Sequence, residues 1–105
     1  SEAAAAQELV RRGHRIVARN WKTKYCEIDI VSCKNDIYYF SEVKHRRTTV
    51  QGNGFDAITS QKLRQMHYAA RFYAHVKNLR DTDMRLLAIA TTGNNYSVVD
   101  VSVVE

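Results

Sequence analysis

The chain has 105 residues, 45% of them hydrophobic and 26% charged, with a formal net charge of +5. That composition is expected of an ordinary soluble globular protein, and the length suits a single domain over residues 1–105. No apolar run approaches the roughly 20 residues of a membrane span, and the Ala3–Ala6 block is too short for a signal peptide, so the expected setting is cytoplasmic with no membrane partner.

The basic excess is uneven: residues 1–52 hold ten basic and six acidic residues, residues 53–105 six and five. Clustered Lys and Arg draw in polyanions, nucleic acid foremost, although a merely basic surface has the same composition.

Taken in chain order, residues 1–12 read as a short helix with Ala5, Leu9 and Val10 as its apolar stripe, and Gly13 stands where a helix ends with positive φ. A strand is expected over 15–22, with Ile16 and Val17 inward and Trp21 near its end. Residues 25–33 and 37–45 are two β-rich runs joined at Asn35-Asp36, residues suited to a tight hairpin turn. Arg46 to Gly54, containing QGNG, reads as a loop. Over 59–77 the period becomes helical, with Leu63, Met66, Ala70 and Tyr73 in line and Thr59 or Ser60 as cap. Strands over 84–92 and 96–104, joined at Gly93-Asn94-Asn95, complete the order αβββαββ. Cys26 and Cys33, read as one strand with side chains on opposite faces, cannot pair with each other, and the four histidines show no zinc spacing with them.

The hairpin raises a chemical question, because Glu27, Asp29, Glu42 and Lys44 stand inside runs that otherwise read as buried strand. A two-residue turn sets Lys34 against Ile37, which carries Asp29 to Glu42 and Glu27 to Lys44. Carboxylates facing across a sheet repel, so a positive partner is expected between them. A divalent cation, Mg²⁺ or Mn²⁺, suits oxygen ligands of this kind, and Lys44 beside it would stabilise charge growing on a phosphate. The same four residues would also serve as the solvated face of an edge hairpin.

The stretch SEAAAAQELVRRGHRIVARNWKTKYCEIDIVSCKNDIYYFSEVKHRR, followed by QKL at a helix start, resembles the YraN-like family of small uncharacterised bacterial proteins. That family is similar to the PD-(D/E)xK, or restriction-endonuclease-like, nucleases and to archaeal Holliday-junction resolvases. The resemblance rests on Glu2 with Ala5, on GHRIVARNW with Asn20 and Trp21, on EID, on EVKHR and on Lys62. It implies a restriction-endonuclease-like α/β fold, a mixed sheet of about five strands flanked by helices. It further implies that Asp29 and Glu42 are metal ligands with Glu2 completing the site, that Lys44 is the catalytic lysine, and that Glu27 and Lys62 are motif positions. Where the family carries glycine and an apolar residue, this chain has Cys26 and Ser41; Asp29, Glu42 and Lys44 are untouched.

The expected activity is therefore Mg²⁺- or Mn²⁺-dependent hydrolysis of nucleic-acid phosphodiesters, DNA favoured, with Lys62 counted among the catalytic groups. Arg11, Arg12, Arg15, Arg19, Lys22, Arg46 and Arg47 are expected to hold phosphates, assisted by Gln61 and Lys62 at a helix N-terminus. A homodimer would suit a branched substrate. The alternative is a nucleic-acid-binding module of a DNA-processing assembly that keeps the fold without the catalysis.

Overall fold

Helix α1 (Glu2–Arg11) stops where glycine is needed: Gly13 sits at φ +98, and the N–H of His14 closes back on the Leu9 carbonyl at 2.9 Å. The computed structural model describes residues 1–46 and 58–104. Strand β1 (Arg15–Lys22) leads into β2 (Glu27–Lys34) and β3 (Ile37–Arg46), and Asn35 and Asp36 turn the β2–β3 hairpin at φ +52 and +64. Paired left-handed residues are the mark of a two-residue hairpin turn, and Lys34 pairs with Ile37 as the sequence requires.

Helix α2 (Ser60–Val76) begins at Thr59, whose hydroxyl accepts the Lys62 N–H at 3.0 Å. It carries the chain from β3 to the parallel strand β4 (Asp83–Thr92), and β5 (Ser97–Val104) returns antiparallel. The sheet order is β1-β2-β3-β4-β5, a mixed five-stranded sheet. The αβββαββ order expected from the sequence is the order of the described residues. Arg47 and the QGNG segment lie outside the described residues. No helix among the described residues is long and apolar enough to cross a membrane.

Each helix covers one face of the sheet. On one side Met66, Ala69, Ala70 and Tyr73 of α2 pack on Ile28, Val31, Phe40 and Leu86; on the other, Ala5, Ala6 and Leu9 of α1 pack on Ile30, Leu87 and Ile89. Strand β4 therefore reads as an unbroken buried run from Leu86 to Thr91, the pattern of a strand covered on both faces. Val10, expected in the α1 stripe, is 56% exposed; Ala6 takes the inward position.

Strict alternation fails at a bulge between Ile16 and Ala18 and again nearer the carboxylates, where the failure shapes the site. Ile30 packs under α1 whereas Ile28, two residues earlier, packs under α2; opposite them, Arg19 lies by α1 and Trp21 by α2. The reversal falls at Asn20 and Asp29, with Asn20 at φ +50. Period-two reasoning from either end misplaces the other.

Candidate active site

The pairing of β2 with β3 runs from Lys34↔Ile37 to Ile30↔Ser41 and stops there. Beyond that point a side chain takes over from the backbone: Asp29 Oδ2 accepts the N–H of Val43 at 2.8 Å. Asp29 and Glu42 stand at the mouth of this opening, where continued register would have set them opposite each other. The expected pairing of Glu27 with Lys44 does not occur. Glu27 is opposite Lys22 of β1, and their charged groups lie 3.9 Å apart, while the β2–β3 ladder ends at Ile30↔Ser41 before it reaches Glu27.

Glu42, on β3, receives a cation from the other side of the opening. Lys62, in the first turn of α2, places Nζ 3.1 Å from Glu42 Oε2, with side chains 33% and 22% exposed. Burial nonetheless raises the Glu42 pKa above the ordinary carboxylate value, and the charge of Asp29 raises it further against the pull of Lys62 and Lys44. Glu2, at the start of α1, reaches the same place from the opposite face. Its pKa is also raised, first by burial and then by Asp29, against the attraction of Arg19. One Glu2 oxygen, Oε1, is buried without a donor, while the Glu2 carboxyl lies within hydrogen-bonding reach of Asp29, a contact that a proton on Glu2 would satisfy. Lys44 is near enough to act on Glu42 electrostatically.

Three carboxylates of like charge, from α1, β2 and β3, meet here, and the charge of Asp29 raises the pKa of both Glu2 and Glu42 in spite of Arg19, Lys44 and Lys62. Oxygen donors are the kind a hard divalent cation takes. Among the described residues no group of three or more His, Cys, Asp or Glu side chains is placed to hold a metal ion by itself. A cation held here would need water or substrate oxygens to fill its shell.

The family model of the uncharacterised protein family UPF0102 matches residues 1–101. The chain belongs to the UPF0102 family. This is the YraN-like group that the sequence resembles, and the match covers nearly the whole chain. A UPF0102 protein of Fusobacterium nucleatum is 31% identical over 93 residues, covering 89% of this chain and 78% of that protein. A UPF0102 protein of Renibacterium salmoninarum is 38% identical over 89 residues, covering 85% and 75%, and one of Syntrophomonas wolfei is 42% identical over 72 residues, covering 69% and 63%.

In this UPF0102 chain the arginines and lysines expected to hold phosphate are divided. Arg11 and Arg12 both pair with Glu8, holding its pKa down to about 2, and Arg15 is opposite Cys33 near the hairpin turn. Cys33 is four residues from Asp29 on β2, which puts Arg15 about 13 Å along the sheet from the level of Asp29. That separation keeps Arg15 out of the immediate site, and Glu8 engages Arg11 and Arg12. Arg19 and Lys22 stay beside it through Glu2 and Glu27, and Arg46 ends β3 opposite Thr92.

A cleft of about 580 Å³ opens between the approach to β2 and the first turns of α2. Glu42 and Lys62 line it, with Glu27, Gln61, Arg64, Tyr25 and Tyr68. Sequence reasoning singled out Glu42, Lys62, Glu27 and Gln61 but missed Arg64 and the two tyrosines. The spacing of Tyr68 and Phe72, four apart on α2, was the available signal, since such residues share a helix face.

Proposed function

We propose that this UPF0102 chain is a metal-dependent nuclease that hydrolyses nucleic-acid phosphodiesters, DNA favoured, and that Asp29, Glu42 and Lys44 carry the reaction. The observation supporting it most is the gathering of Glu2, Asp29 and Glu42 around one opening in the sheet, with Lys44 and Lys62 at its edge. The resemblance to PD-(D/E)xK nucleases gives the same residues the same roles.

Asp29 and Glu42, with Glu2 behind them, would hold Mg²⁺ or Mn²⁺. When bound, such an ion polarises a phosphoryl oxygen and lowers the pKa of a water. The chain's own groups do the rest. The Val43 N–H fixes the Asp29 carboxylate in one orientation, so little reorganisation accompanies the reaction. Lys44 supplies positive charge where negative charge grows on the phosphate, and this contributes only as the transition state forms. Lys62 opposes protonation of Glu42 before substrate arrives and is placed to turn toward a phosphate once the carboxylate is otherwise neutralised. Arg19, Lys22 and Arg46 hold the backbone by charge and read no bases.

The test is a cleavage panel of linear, single-stranded, flapped and four-way-junction DNAs with Mg²⁺, Mn²⁺ or EDTA, beside calorimetric Mn²⁺ binding. Wild type should cut at least one substrate with metal and none with EDTA, and Asp29→Asn and Glu42→Gln should lose both Mn²⁺ binding and cleavage. A wild type that binds DNA and cuts nothing would be the non-catalytic binding module instead.

A further inference from the structure

From Trp21 a chain of aromatic contacts runs outward to the surface beside the cleft. Trp21 meets Phe72 at 6.3 Å between ring centroids, and Phe72 is flanked by Tyr25 at 5.8 Å and by Tyr68 at 5.9 Å. The root of this chain is core, since Trp21 also packs edge-on against buried Tyr73 at 5.0 Å. Its outer members are not: Tyr25 is 62% exposed and Tyr68 46%. Both line the cleft that contains Glu42 and Lys62.

Packing explains Trp21 and half-buried Phe72 but leaves the two tyrosines unexplained, because rings exposed to this degree add little to the core. Their setting is cationic. Lys24 Nζ lies 5.2 Å from the Tyr25 ring centroid, and Arg64 lines the same cleft. The cleft's carboxylates already have partners, Glu27 with Lys22 and Glu42 with Lys62. Lys24 and Arg64 have no carboxylate partner among the described residues. A volume of about 580 Å³ falls within the ~300–1,000 Å³ typical of small-ligand sites.

We infer that Tyr25 and Tyr68, backed by Phe72, form a stacking platform for unpaired bases of single-stranded nucleic acid, with Lys24 and Arg64 holding the adjoining phosphates. Sequence-tolerant binding of single strands combines these two elements, aromatic faces for bases and cations that track the backbone. In a duplex the base faces are covered by their neighbours, so the platform selects strands or junctions with unstacked bases. The inference deepens the nuclease reading, on which it rests only for what happens to the strand after it binds.

The experiment is fluorescence anisotropy in EDTA with a labelled thymidine oligonucleotide of about a dozen residues, a length suited to the site sizes of single-strand binders. A duplex of equal length is the comparison. Wild type should prefer the single strand. Tyr25→Ala and Tyr68→Ala should each weaken single-strand binding by about 5-fold or more and leave duplex binding unchanged, whereas Tyr25→Phe and Tyr68→Phe should bind as wild type. Both side chains are exposed, and unchanged thermal melting would establish that the alanine variants are folded. Alanine variants that bind the oligonucleotide as wild type, or a wild type with no preference for it, would overturn the platform. Because metal is absent, a protein that fails the cleavage panel yet binds through its tyrosines defeats the nuclease reading and leaves the platform standing; a nuclease whose tyrosine variants bind unchanged does the reverse.

Discussion

Replacing Lys62 by methionine removes one charge and little else, because both residues favour helices and the capping bond to Thr59 uses the backbone N–H. The lost interaction is the 3.1 Å contact with Glu42. At an effective dielectric near 20 the bare attraction at that distance is about 5 kcal/mol. Desolvation, side-chain ordering and partial exposure of both groups offset most of it, leaving a net contribution of about 1 kcal/mol, at the upper end for partly exposed pairs. In a chain of this size that lowers the melting temperature by about 4 °C at neutral pH. The pH dependence has a definite sign. Glu42 already has a raised pKa, and without Lys62 it rises further, so the variant loses more stability than wild type as pH climbs through that value. Below the ordinary glutamate value of 4.5, where Glu42 is protonated in both proteins, the difference should vanish. Thermal melts in EDTA followed by far-UV circular dichroism, with a carboxyl-carbon NMR titration of Glu42, measure both effects. Equal melting at neutral pH with an unmoved Glu42 titration would refute Lys62 as the resident counter-ion of the site.

Two further outcomes are expected. Glu2→Gln should raise the melting temperature of the metal-free protein at neutral pH, since a raised carboxyl pKa contributes stability only below the ordinary 4.5 and loses it as pH rises, while glutamine stays neutral throughout; melting below wild type at neutral pH would contradict this. Lys44→Met should slow single-turnover cleavage on the order of 10²-fold or more while Mn²⁺ and DNA binding persist, and cleavage at the wild-type rate would remove Lys44 from the chemistry.

The order of elements was legible because its signals are local. Gly13, Asn35-Asp36 and Thr59 each mark a boundary by backbone conformation or capping, and the buried run of β4 reads as a covered strand without knowledge of its neighbours. Grouping Asp29 with Glu42 followed from the hairpin register. The reversal at Asn20 and Asp29 was not legible, since EIDIV carries the alternation of a regular strand and the cause of the break lies partly in another strand. The early end of the β2–β3 ladder at Ile30↔Ser41 was hidden too, so Glu27, expected opposite Lys44, faces Lys22 instead. The loneliness of the buried Glu2 oxygen was equally out of reach, because it depends on how α1 lies across the sheet.

The bond from Asp29 to Val43 bears on how relatives of this chain should be read. Asp29 fastens two strands where their backbones part, so losing it would leave a half-buried N–H without an acceptor, at about 1–3 kcal/mol. Glu42 has a similar attachment through Lys62. A descendant that had abandoned chemistry would still be under pressure to keep both acids for the sake of its fold. Lys44 has no such second duty: among the described residues its side chain makes no hydrogen bond or ion pair, and it only biases the charge of Glu42. On the proposed nuclease reading, the lysine is therefore the more informative witness to a working enzyme across the family, and a chain that keeps both acids but lacks it is the one to suspect of being a binder.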